Sequence, residues 1–263
     1  MLKVDNLKKT FHLDDNPLND KKALDGVSLE IKEGDFISVI GSNGSGKTTL
    51  LNIIAGVIAQ DEGSIELNGM EISKLPVHKR AKYIGRVFQD PNMGTIADIS
   101  LFENLSIASR RGKRQSPFRY ALTKESEREF QELLKPLGLG LEERLNAPMG
   151  AFSGGQRQSV TLLMATLSKP SLLLLDEHTA ALDPATAKKV MELTEKIVLD
   201  SKIPTLMVTH NMKDAIRYGN RLIMMDKGRI VYDVKGEEKK SLKPRGLLDK
   251  FDSLVLPDSA LLG

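Results

Sequence analysis

The sequence predicts an α/β fold: a mixed sheet with flanking helices, an antiparallel β part near the start, and an inserted helical lobe. Three observations carry this expectation. The outer thirds of the chain show strand patterns and the middle, from about Asp90 to Thr166, does not. A continuously apolar run, Phe36-Ile-Ser-Val-Ile40, reads as a buried, parallel-type strand and leads into a glycine-rich loop and an apolar helical segment. Two further buried-type strands, Leu172 to Leu175 and Thr205 to Val208, flank a helical stretch from about Ala185 to Leu199, which suits a crossover between parallel strands.

The remaining elements follow in order. Val27-Ser-Leu-Glu-Ile31 alternates like a half-buried strand and is followed by Glu33-Gly34 as a turn. Lys47 to Ala55 reads as a helix, with Leu50, Leu51 and Ile54 at helical spacing and Gly56 as its stop. Ser64-Ile-Glu-Leu67 reads as a strand closed by Asn68-Gly69, a hairpin dipeptide. In the middle, Phe130, Leu133, Leu134 and Leu137 form a helix face behind the N-cap Thr123, and Gly138 and Gly140 stop it. Arg221 to Asp226 and Arg229 to Asp233 pair around Lys227-Gly228, and a short helical tail follows. The expected organisation is a single domain over 1–263: an α/β core from 1–89 and 167–233, a helical lobe over 90–166 and a tail over 234–263.

Composition narrows the class. With 263 residues, 40% hydrophobic and 28% charged, this is an ordinary globular chain able to bury a substantial core. A net charge of +3 is weak and does not argue for a nucleic-acid groove, since a binder of many phosphates usually shows a concentrated basic face, so no nucleic-acid partner is expected. Cysteine is absent, which excludes disulfides and thiolate chemistry and fits a reducing compartment. The start of the chain lacks an apolar signal core, and no apolar run approaches the roughly 20 residues that span a bilayer. If the protein works at a membrane, another chain supplies the membrane part.

The loop Gly41-Ser42-Asn43-Gly44-Ser45-Gly46-Lys47-Thr48-Thr49 matches the phosphate-binding pattern G-x-x-x-x-G-K-[ST]. Glycines let successive backbone N–H groups point inward as a nest for phosphate oxygens, and the helix beginning at Lys47 adds its positive end. Lys47 can reach β- and γ-phosphates, and the Thr48 hydroxyl can ligate Mg²⁺. Nucleotide hydrolysis also needs an acid at the end of a buried strand, and Leu172-Leu-Leu-Leu175-Asp176-Glu177 supplies two. Asp176 fits an outer or water-mediated Mg²⁺ contact, and Glu177 fits a residue that polarises the attacking water.

Phe152-Ser153-Gly154-Gly155-Gln156, beside that loop and the Asp-Glu pair, resembles the signature of ABC-transporter ATPases. The resemblance covers about Leu2 to Asp233. It implies the P-loop ABC ATPase fold, ATP with Mg²⁺, and roles for further residues. Gln89 takes the place of the family's Q-loop glutamine, which contacts nucleotide and metal. Asp183, in Ala181-Leu182-Asp183, resembles the D-loop, and His210 resembles the switch histidine. Phe11 takes the place of the aromatic that stacks on adenine, with a core aromatic as the competing reading. His178 stands where the family often has proline, and a structural role is expected of it. Phe152 replaces the signature's usual leucine, and Met164 replaces a common arginine. Arg110-Arg-Gly-Lys-Arg114 is read as a solvated loop, with lipid headgroups or a membrane subunit as the other reading.

In this family two ATPase domains face head to tail, each ATP lying between one chain's phosphate loop and the other's signature. One signature in this chain implies a second ATPase subunit, with a homodimer expected. The chain also resembles the ATPase subunits of bacterial tryptophan/tyrosine-type uptake systems, through Arg86 to Thr95, Asp176 to Pro184 and Gly228 to Lys240. That implies a permease, an extracytoplasmic binding protein as an indirect partner, a place on the cytoplasmic face of the membrane, and import of aromatic or related amino acids. The permease contact is expected around residues 88–105, including Phe88, Met93, Ile99, Leu101 and Phe102. A soluble ABC ATPase of cofactor assembly, without transport, is the alternative. A translation or DNA-repair factor would need two ATPase units or a long coiled-coil insertion.

Overall fold

The computed structural model describes residues 1–12, 20–112 and 123–255. The chain opens with β1 (Leu2–Phe11), β2 (Lys21–Ile31), β3 (Phe36–Gly41), α1 (Lys47–Ala55), β4 (Glu62–Leu67), β5 (Met70–Glu71), α2 (Val77–Arg80) and β6 (Ile84–Val87). The middle holds α3 (Leu101–Ser109), α4 (Lys124–Leu134) and α5 (Gly154–Thr166), then β7 (Leu172–Asp176) and α6 (Pro184–Ser201). The last part comprises β8 (Thr205–Val208), α7 (Met212–Arg217), β9 (Arg221–Asp226), β10 (Arg229–Lys235), α8 (Gly236–Lys240) and α9 (Pro244–Val255). Two compact units result: Met1–Arg80 with Lys202–Gly263, and Ala81–Ser201.

In the first unit an antiparallel sheet runs in the order β2-β1-β4-β5. Val27, Leu29 and Ile31 point inward while Ser28 and Glu30 stay out of the core, as the alternation predicts. β1 was not predicted as a strand. Its register shifts between Val4 and Leu7, and Asn6 takes φ +47, so its apolar residues do not keep a period of two. The hairpin dipeptides behave as expected: Asn68 and Gly69 take φ +51 and +80, and Lys227 and Gly228 take +45 and +77.

β3 pairs in parallel with both β8 and β9, and β9 pairs antiparallel with β10. Residues Phe36 to Ile40 are all buried, which is why the run reads as continuously apolar. Its one polar member, Ser38, donates its hydroxyl to the Tyr218 carbonyl at 3.0 Å. α1 buries Leu50, Leu51, Ile53 and Ile54, and Gly56 ends it at φ +81. The buried Arg80 closes the same helix end. Its Nη1 donates to the Ile53 and Ile54 carbonyls at 2.7 and 2.9 Å, Nη2 to Ser73 O at 2.7 Å, and Nε to Leu75 O at 2.8 Å. β10 continues past the expected tail boundary, because Val234 still pairs with Leu222. The tail then packs Leu247 against Ile40, Leu222, Met224 and Val234.

In the second unit β6 and β7 pair in parallel, from Ile84 with Leu172 to Val87 with Leu175. β6 escapes the sequence pattern because Gly85 and Arg86 interrupt it. The helical part has its own core, including Leu101, Phe102, Leu105, Phe130, Leu134 and Val160. Phe102 and Phe130 meet edge to face, 5.8 Å between centroids. Thr123 caps α4 as predicted, in a capping box with Ser126. One member of the predicted helix face differs: Leu133 is 37% exposed, since the buried stripe is centred on Phe130 and Leu134 and the helix ends there. Met164 and Phe152 are core residues of this unit. The expected lobe, 90–166, falls inside this unit, which also holds β6, β7 and α6.

Candidate functional site

The first unit assembles the glycine-rich loop between β3 and α1. Gly41, Gly44 and Gly46 take φ +155, +81 and +102, values that side chains disfavour. Space demands glycine too. A methyl group on Gly46 would stand 2.4 Å from the Ala23 carbonyl oxygen, and one on Gly41 would stand 2.2 Å from Met225 O. Lys47 is buried, and its Nζ donates to the Gly41 and Ser42 carbonyls at 2.9 Å each. That fold-back holds the ammonium over the loop it belongs to. Gly46 is the N-cap of α1 and no side chain caps the helix, so the positive helix end is left to the loop. Ser45 Oγ is buried without a hydrogen-bond partner. Ser42, Asn43, Gly44, Thr48 and Thr49 are exposed or half-buried.

Support for the loop comes from residues that sequence reasoning missed. Gly228 N donates to Ser45 O at 3.0 Å, and Asp25 N donates to Gly228 O at 2.9 Å, so the β9–β10 turn ties the loop to β2. Ser42 Oγ donates to the buried Asp226 at 3.4 Å. Phe11 is half-buried at the end of β1, outside the core, opposite Lys21 on β2. The Lys21 ammonium lies beside Gly44, 3.5 Å from where a Cβ would be. Lys21 thus brings a second cation to the loop. His210 follows β8 and is exposed, just before Asn211, whose Oδ1 caps α7 through the N–H groups of Lys213 and Asp214.

The second unit holds the remaining residues. Asp176 ends β7, and Arg86 on β6 reaches it with Nη2 at 3.2 Å. Both side chains are 14% exposed, so this pair is shielded from bulk water. The Arg86 guanidinium also stacks 4.6 Å from the Phe88 ring centroid. Glu177 follows at φ +46, a left-handed conformation uncommon for a residue with a side chain. Asp183 is exposed and accepts from Thr186 N at 3.1 Å at the start of α6, and hydrogen bonding from the Thr186 side chain first, then from its backbone, holds the Asp183 carboxyl below the ordinary range. Gln89 is exposed. The carbonyl of its neighbour Phe88 accepts from Gln158 Nε2 at 3.0 Å, and Gln158 is fully buried in α5.

The signature residues form the N-terminus of α5. Ser153 is the exposed N-cap, and its Oγ accepts from Gln156 N at 3.3 Å. Gln156 Oε1 in return accepts from Ser153 N at 3.0 Å. Gln156 therefore shapes the helix start, a role its place in the motif did not reveal. Gly154 is half-buried. Gly155 is buried against α6, where a methyl group would stand 2.1 Å from Thr186 Cγ2. Its glycine is required by helix packing.

These features fit a nucleotide triphosphate. The loop presents a nest, an uncapped helix end, a buried ammonium and an orphaned hydroxyl. No cluster of three or more His, Cys, Asp or Glu side chains that could hold a metal ion occurs among the described residues. Among the described residues no helix is long and apolar enough to cross a membrane.

Residues 24–180 match the family model described as ABC transporter. The chain belongs to that family, as an ATP-binding and ATP-hydrolysing subunit of a transporter. It is 46% identical over 256 residues to the tyrosine transport ATP-binding protein of Clostridioides difficile (strain R20291), covering 97% of this chain and 100% of that protein. It is 34% identical to the methionine import ATP-binding protein MetN of Clostridium tetani (strain Massachusetts / E88), covering 95% of this chain and 74% of that one. Among solved structures, a dimeric post-hydrolysis state of the ATP-binding cassette MJ0796, bound to ADP and Pi, aligns with a TM-score of 0.74 and 32% identity. That alignment covers 89% of this chain and 98% of the other. Transporter ATPases of this family work as dimers with membrane permease subunits.

Proposed function

We propose that this chain powers the import of an aromatic amino acid, tyrosine or a close relative, from the cytoplasmic face of the membrane. It would act as a homodimer beneath a permease that is fed by an extracytoplasmic binding protein. The observation that carries the substrate class is the 46% identity, spanning the whole of the C. difficile tyrosine transport protein. The methionine-import relative is more distant and longer than the matched region, and supports the competing substrate less.

In this reading the loop N–H groups of residues 42–49 and Lys47 hold the β- and γ-phosphates, and Phe11 stacks on adenine. Thr48 and Gln89 would hold Mg²⁺, with Asp176 as an outer or water-mediated contact, and the ion would neutralise charge on the phosphates. Glu177 orients water toward the γ-phosphorus and accepts its proton, while the bond to the β–γ bridging oxygen breaks and ADP leaves. His210 contacts the γ-phosphate. Ser153 and the Gly154 N–H, at the head of α5, face the nucleotide of the partner subunit. Asp183 lies at the same dimer contact.

Of the residues expected to meet the permease, Leu101 and Phe102 are core. Phe88 and Ile99 are half-buried. Met93, 67% exposed, remains available, and we assign the contact to it together with Ile96, 50% exposed in the same stretch but not among those expected residues. The test is transport by the full complex in proteoliposomes, with labelled tyrosine, tryptophan and methionine. Uptake of tyrosine or tryptophan supports the reading, and uptake of methionine alone overturns its substrate half. Met93→Glu should abolish uptake while the isolated subunit hydrolyses ATP at its usual rate.

A further inference from the structure

The turn between β7 and α6 carries Glu177 and then His178. His178 is 2% exposed, and its Nε2 lies 3.1 Å from Thr194 Oγ1, itself fully buried in the middle of α6. Hydrogen counting fixes the direction of this bond. Thr194 has one hydroxyl hydrogen and gives it to the Val190 carbonyl, 2.7 Å away. Oγ1 therefore accepts, and the histidine donates from Nε2. The buried ring therefore carries a hydrogen on Nε2.

Glu177, directly before it, keeps a left-handed backbone that an unrestrained glutamate rarely adopts. The Glu177 carbonyl accepts from Ala180 N at 2.9 Å, which closes a tight turn around His178. The neighbouring turn is thus anchored to the middle of a long helix by one buried side chain. We propose that His178 is a positioning residue: its Nε2–H bond to Thr194 pins the β7–α6 turn and so holds Glu177 in the orientation that hydrolysis requires. This rests on the reading of Glu177 as the residue that orients water.

The experiment uses the full chain, with single-turnover hydrolysis at saturating ATP, nucleotide affinity and thermal unfolding measured side by side. Thr194→Val removes the acceptor at nearly constant volume. It should slow hydrolysis on the order of 10-fold, because small misplacements of a reacting group are costly, and leave nucleotide affinity within about twofold. Thr194→Ser keeps the hydroxyl and should restore the rate. His178→Leu removes the donor and should match Thr194→Val, and the double variant should be no slower than either. In a Glu177→Gln background, Thr194→Val should leave the residual rate unchanged. An unaltered rate in both single variants, a loss of rate that tracks affinity, or an equal loss in both backgrounds overturns the tether. If Glu177→Gln itself hydrolyses ATP normally, the water-orienting reading falls, and the inference with it. A dead Glu177→Gln beside fully active Thr194→Val and His178→Leu overturns the tether alone.

Discussion

Glu177 and Lys47 divide the labour of the proposed reaction, and single substitutions separate them. Lys47 is buried within the phosphate loop, so its charge acts on binding. Glu177 lies outside that loop, and its carboxylate acts once ATP is in place. Glu177→Gln should therefore bind ATP as tightly as the parent, lose most turnover and accumulate as an ATP-bound dimer. Size-exclusion chromatography with and without ATP reads this directly, and a variant that stays monomeric with full turnover contradicts it. Gly155 has a different task. Any Cβ there collides with Thr186, so Gly155→Ala should cost roughly 1–3 kcal/mol by overpacking. Adding Thr186→Ser, which removes the obstructing methyl, should recover much of that loss in urea unfolding. Failure to recover would place the glycine's role elsewhere.

At the scale of elements, the turn from β7 into α6 links stability to pH. The His178 pKa is about 4 in the folded protein, below its ordinary value of 6.5. The unfolded chain therefore binds more protons between those values. The contribution of neutral His178 is fully present above about pH 6.5, declines as pH falls, and is gone below about pH 4, for a total on the order of 3 kcal/mol. Thermal unfolding of the parent should drop across this window more steeply than that of His178→Leu. Parallel profiles would show that the ring is not held neutral. The N-terminus of α5 is a second element-level device. Its capping box leaves a serine hydroxyl and a glycine N–H at an exposed helix end, the arrangement a partner's phosphate needs. Helix α1 is treated in the opposite way, with no side-chain cap at its phosphate end and Arg80 on the carbonyls at the other.

For the whole molecule, the expected assembly is a composite one. In the homodimer proposed above, a defect in one chain falls on a site shared with its partner; the solved cassette of the same fold, 32% identical, is dimeric. Ser153→Arg should leave nucleotide binding by the single chain nearly intact and lower turnover by about 10²–10³-fold. Mixed with a Lys47→Ala chain, it should form dimers with at most one intact composite site, and so regain a fraction of the parent rate. If the Ser153→Arg chain alone loses nucleotide affinity, the site is self-contained and the shared arrangement is wrong.

Much of this protein could be read without coordinates because the informative residues are local. The loop 41–49, the run into Asp176 and Glu177, and the residues 153–156 are each continuous, and their chemistry requires that continuity. Strands such as Phe36 to Ile40 and Thr205 to Val208 were legible because burial on both faces leaves an unbroken apolar run. Helix α1 was legible to the residue, since a lysine start and a glycine stop bound it. Only the folded chain could decide the supports. Arg86 meets Asp176, Arg80 closes α1, Gly228 braces Ser45, Gly155 clears Thr186, and His178 reaches Thr194. Each joins elements apart in sequence, and one arginine or histidine looks locally like any other. β1 stayed hidden for a related reason, since a bulge broke its alternation and only pairing with β2 and β4 makes it a strand. The sequence by itself determined the family and marked the continuous motifs proposed to act on phosphate and water. The tertiary structure decided what holds them in place, because partnership between distant residues is set by packing and hydrogen-bond satisfaction, which leave no mark on local sequence.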